Sequence, residues 1–182
     1  MNNPGIDLEI WKQLRKKWSD LDASGHKLKV DFQLIAHPND AKDIMAIDVI
    51  QHIDDELVTE TVQRSAGQAY AALGIAGLSA ERLVEVYKEM IGELHQQAKL
   101  RDMDLIVTMT PTSPASGELR GHLEKADAPV RSSVLINYQH YYVLNALRDK
   151  MIERGGEGWS KVKAIHHSGD LEFYFEYERG AS

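Results

Sequence analysis

A chain of 182 residues, 43% of them hydrophobic, is long enough for one cored domain and too apolar to be disordered. A formal charge of −7 suits it poorly to a phosphate backbone, which calls for clustered Lys and Arg, so no nucleic-acid partner is expected. The absence of cysteine removes disulfides, thiol nucleophiles and Cys-ligated metals together. No apolar run approaches the ~20 residues that span a bilayer, and Met1 to Asp7 lacks a signal pattern. A cytoplasmic protein without a membrane partner is the expectation.

Leu8, Trp11, Leu14, Trp18 and Leu21 recur at steps of three and four and predict a short N-terminal helix over residues 7–19. Lys12, Arg15, Lys16 and Lys17 form its polar side. Ser24-Gly25 turns the chain into an alternating strand, where Leu28, Val30, Phe32 and Leu34 share one face. Pro38-Asn39-Asp40 breaks that strand. Residues 43–53 are apolar on both sides and read as a central strand. Asp54-Asp55 turns into a third, Thr-rich strand over 57–64. The Gly- and Ala-rich stretch 66–78 reads equally well as helix or loop.

Ser79 is placed to cap a long helix, 79–100, carrying Leu83, Val86, Tyr87, Met90, Ile91 and Leu94. A strand at 104–110 follows. Pro111 and Pro114 in a run with Thr, Ser and Gly predict a mobile loop from 111 to about 128. Val130–Ile136 reads as a strand, and Asn137 caps a second long helix, 138–154, closed by Gly155. After Trp159 the chain forms a hairpin. With Ser168-Gly169 as loop residues, Lys161 faces Glu176, Val162 faces Phe175 and Ala164 faces Phe173. One register thus pairs opposite charges and apolar partners together. Strand meanders interrupted by helices predict an α+β fold. It is a single domain with a largely antiparallel sheet of about six or seven strands and helices on one face.

Candidate chemistry is sparse, and no cofactor is expected. His52, Asp54, Asp55 and Glu56 set a histidine beside three carboxylates, donors suited to a hard or borderline cation in a small metal-dependent hydrolase. A tight turn between strands is also acidic without any metal. His166 and His167 are adjacent on a strand, so they point to opposite faces and cannot share one ion. His95 falls beside the apolar stripe of its helix and reads as a surface residue. Asp48, inside an apolar strand, is placed on the outer face. Tyr138, Tyr141 and Tyr142 could form an interface patch or a core edge. Glu172, Tyr174, Glu176 and Glu178 occupy the polar side of the last strand, either a solvated sheet face or a surface for a basic protein partner.

Leu147-Arg148, the Gly155-Gly156 break, Trp159, the Ser168-Gly169 turn and the alternating Phe173, Phe175 and Tyr177 resemble the C-terminal part of the YezG-like immunity proteins. The resemblance covers residues 144–178, and the strand meander before it departs from that family. It implies a small acidic cytoplasmic protein that occludes a bacterial toxin by surface complementarity, without catalysis. A structural subunit of a phage or larger assembly is the remaining expectation.

Overall fold

The computed structural model describes residues 1–37, 40–63, 66–98, 102–113, 116–125 and 127–178. The expected break at Pro38-Asn39 lies outside them. The first half of the chain runs α1 (Leu8–Ala23), β1 (Leu28–His37), β2 (Asp40–Ile53), β3 (Glu56–Gln63), α2 (Ala66–Ala72) and α3 (Ala80–Gln97). The second half runs β4 (Asp104–Ser113), β5 (Ser116–Lys125), β6 (Ala128–Val134), α4 (Tyr138–Glu153), β7 (Lys161–His167) and β8 (Asp170–Glu176). The fold is α+β. Seven strands follow the order β1-β2-β3-β5-β4-β7-β8, every pairing antiparallel, and β6 pairs with β5 beyond the end of β3.

The expected caps are in place. Asp7 accepts from the amides of Glu9 and Ile10, Ser79 from Arg82 and Asn137 from Gln139. Gly155 follows the last helical turn at φ 83°, the left-handed region that glycine enters without cost. Ser79→Ala is expected to cost about 1 kcal/mol, visible as a lower thermal midpoint at unchanged helix content. The C-terminal hairpin keeps the register that its alternation specifies, with Lys161 opposite Glu176, Val162 opposite Phe175 and Ala164 opposite Phe173.

Two expectations are corrected. The described parts of 111–128 are not a loop, because residues 111–113 belong to β4 and 116–125 to β5, and the two strands pair. Pro111 lies within β4, opposite Gly117, but beyond Met109, where the pairing of β4 with β7 ends. A missing amide is tolerated on a strand with one free side. Nor do the helices share one face. Ile47 and Val49 of β2 and Val62 of β3 pack with Trp11, Leu14 and Trp18 of α1. The alternate residues of β2, Ala46 and Asp48, point the other way, toward α4. A bulge lets β2 serve both layers. Ile35 pairs with Ala46 and Ala36 with Ile44, leaving Met45 as an extra residue that joins Ala46 in the larger core.

Helices α2, α3 and α4 cover the central and C-terminal strands on that second face. Helix α3 buries Leu83, Tyr87, Ile91 and His95 along one line at steps of four. The first turns of α4 bury consecutive residues, His140 through Leu144, because sheet, α2 and α3 enclose the helix on several sides. Trp159 is fully buried, with the Arg148 guanidinium 5.7 Å from its ring centroid. Arg148 Nε also donates to the Trp159 carbonyl, tying the end of α4 to the start of the hairpin. Among the described residues no helix is long and apolar enough to cross a membrane.

Candidate functional site

Helix α1 roofs only β1, β2 and β3. Among the described residues no helix packs over the same face of β5, β4, β7 and β8. Strand alternation places Glu118 and Arg120 of β5, Thr108 and Thr110 of β4, Lys161 and Lys163 of β7, and Glu172, Tyr174 and Glu176 of β8 on that face. Beside α1 it forms a polar groove of about 440 Å³, lined by Glu56, Thr108, Thr110, Glu118, Arg120, Arg131 and Lys161. Its cations and anions are largely paired. Arg120 donates to Glu56 at 2.8 Å and to Glu118 at 2.9 Å, and Lys17 of α1 meets Glu118 at 3.1 Å. Burial raises the Glu118 pKa, but Lys17 and Arg120 outweigh it and hold the carboxyl below its ordinary value.

The character changes at β8, the last strand of the sheet. Its outward row is Asp170, Glu172, Tyr174 and Glu176, all exposed, and exposed Glu178 follows the strand. Tyr174 is 53% exposed and donates to Glu172 at 3.0 Å, a bond that raises its own pKa. Leu171, Phe173 and Phe175 face the core but are only half-buried, since no strand covers them from the side. Among the described residues one edge of the backbone of β8 is free of sheet partners.

Of the two readings of the tyrosines, the structure shows the core one. Tyr141 and Tyr142 are fully buried, and their hydroxyls find no partner among the described residues. Tyr138 is half-buried against Tyr142, at a ring separation of 6.0 Å. The group is core, not surface.

The structure does not gather the four residues of the β2–β3 turn. Asp54 turns back to β1, accepting from the Lys27 amide at 2.9 Å and contacting His26 Nδ1 at 2.7 Å. The bond from His26 is the main reason its pKa is lowered. Glu56 pairs with Arg120 instead, and the exposed side chains of His52 and Asp55 join neither pair. Among the described residues no three His, Asp or Glu side chains are arranged to hold a metal ion.

Three polar side chains lie deeper than the sequence suggests. Asp48 is 2% exposed and accepts from Thr61 Oγ1 at 2.9 Å and from the Tyr138 amide at the start of α4. Burial pushes it up to about 6 despite those two bonds. His140 is buried against Tyr87, its Nδ1 3.0 Å from the hydroxyl, and burial pushes it down to about 4. His95 is not a surface residue. Its Nδ1 lies 2.7 Å from Nδ1 of His166, and its Nε2 lies 2.7 Å from the Met103 carbonyl. His166 and His167 do point to opposite faces. His167 is exposed and pairs with Asp104, the main reason its pKa is raised. The i+4 series Leu83, Tyr87, Ile91 reaches His95 at its next step, the sequence signal that identifies the buried histidine.

No family model matches the chain, and no curated protein matches it.

Proposed function

We propose that the chain is a non-enzymatic binding protein that engages a basic protein partner at the outer row and free edge of β8. The carrying observation is that row itself. The terminal strand presents carboxylates around an exposed tyrosine, has no basic residue and leaves one backbone edge open. A self-pairing strand would set those carboxylates against each other, so the edge repels a second copy and favours a strand or surface rich in Lys and Arg. Tyrosine flanked by charge supplies contact area at low entropic cost. The resemblance of residues 144–178 to YezG-like immunity proteins gives the finer form of the proposal, a cytoplasmic protein occluding a basic bacterial toxin.

The test captures the partner from native cells with wild-type protein, identifies it and measures the purified pair. Glu172→Lys with Glu176→Lys should weaken that pair at least about tenfold and flatten its dependence on salt. Unchanged affinity would remove this surface from the binding site. A captured partner without a basic face would remove the electrostatic reading as well.

A further inference from the structure

The two buried histidines bear on a cavity that the acidic strand does not touch. It measures about 380 Å³ and lies between the end of α3 and the β7–β8 turn, lined by Gly92, His95, Gln96, His166, Ser168 and Gly169. With both rings neutral, its proton arrangement follows from hydrogen-bond chemistry. The Met103 carbonyl can only accept, so His95 Nε2 carries a proton. In a neutral ring Nδ1 of His95 is then a lone pair. The 2.7 Å contact between the two Nδ1 atoms therefore requires His166 to be the donor. Nε2 of His166 is left with a lone pair and no partner among the described residues. The backbone carbonyl thus fixes, through one intervening ring, the tautomer of the second histidine.

The atom so prepared is uncovered because position 92 is glycine. A Cβ there would sit 3.6 Å from His166 Nε2, in direct contact with it. Gly92 is otherwise unexpected, since it occupies the interior of α3, where glycine costs about 1 kcal/mol relative to alanine. Two glycines and two imidazole rings line the space, and Gln96 and Ser168 add polar atoms. Burial first, with Lys88 adding to it, lowers the His166 pKa against the opposing pull of Asp104 and Asp170, which favours the neutral ring.

We propose that this cavity binds an uncharged single-ring molecule bearing one O–H or N–H donor, a phenol or an azole, through a hydrogen bond to His166 Nε2. An acceptor-only ring finds no donor at that atom. The site is spatially separate from the outer face of β8, so the two proposals stand or fall separately.

The experiment uses the full chain, phenol as probe and its methyl ether, anisole, as the non-donating control. Nitrogen-15 spectra at pH 7.5 should show His166 protonated at Nδ1 and His95 at Nε2. Phenol should shift the amides of Gly92, Ser168 and Gly169 saturably and move the His166 Nε2 resonance, and anisole should bind at least tenfold more weakly. Gly92→Ala places a methyl against Nε2 at an ordinary contact distance and improves helix propensity, so it should fold normally and lose at least tenfold in phenol affinity. His166 protonated at Nε2 in the free protein would overturn the proposal. So would equal binding of phenol and anisole, no saturable shift with phenol, or full phenol affinity in Gly92→Ala.

Discussion

Gly117→Ala is expected to destabilise the fold by about 3 kcal/mol, the upper end of overpacking effects, read as a lower denaturant midpoint at unchanged slope. Gly117 lies in β5 between β3 and β4, opposite Thr61 and Pro111. The ring of Tyr141 rests directly on it. A Cβ would come within 2.8 Å of Tyr141 Cδ2, closer still to Cε2, and 3.3 Å from the Met109 methyl. The ring has little room to retreat, because Tyr141 is fully buried and Tyr142 lies 5.4 Å away, centroid to centroid. Relief would have to come from lifting α4 off the sheet. A midpoint corresponding to less than about 0.5 kcal/mol would show that helix and strand are not in tight register here.

Asp48→Asn is expected to change how stability responds to pH, with a difference from wild type on the order of 3 kcal/mol between pH 7.5 and pH 4. The carboxyl goes from its ordinary 3.8 to about 6 on folding. The folded state therefore holds this proton more tightly. The cost of the buried anion is absent below about pH 4 and complete above about pH 6, at about 1.4 kcal/mol per pKa unit. His140 runs in the opposite direction, from 6.5 down to about 4. Its contribution is complete above about pH 6.5 and is lost as pH falls toward 4. The two slopes oppose each other across the same window. Removing Asp48 leaves the histidine unopposed, so the variant gains on wild type at pH 7.5 and loses that gain steadily toward pH 4. Denaturant midpoints at half-unit pH steps measure it. A constant offset between variant and wild type would mean that the carboxyl keeps its ordinary pKa in the fold.

The parts of the molecule that the sequence makes legible are those where one face is wet. The β7–β8 hairpin alternates cleanly because its outer face is open, so a single register satisfies charge and apolarity together. Strand β5 was hidden because it is covered differently. Its sequence, Ser116 to Lys125, holds only two large apolar residues, Leu119 and Leu123. Gly117 and Gly121 fill the remaining inward positions so that Tyr141 and Ile136 can lie against the backbone. Asp48 and the tyrosines of α4 were misplaced for a related reason. Both β2 and α4 are enclosed on several sides, and an enclosed element has no wet face from which to read its orientation. The His95–His166 pair spans 71 residues, and only the docking of α3 onto β7 brings it together.

The split partnership of β5 bears on how the molecule comes apart. Its first half is bound to β3 by five residue pairs, Val58 to Val62 against Arg120 to Ser116, and its second half is bound to β6. Helix α1 and β1 to β3 carry an apolar cluster of their own. Detaching that unit breaks the β3 ladder and also draws Ile35, Met45 and Ala46 out of the larger core. What it exposes is half of a central strand, Ser116 to Arg120, whose Glu118 and Arg120 lose their partners Lys17 and Glu56. The acidic row of β8 guards the native edge at that end of the sheet against a second copy, but it offers no protection to this inner one. Exposure of this inner edge therefore depends on the five-pair seam and on those three core residues together.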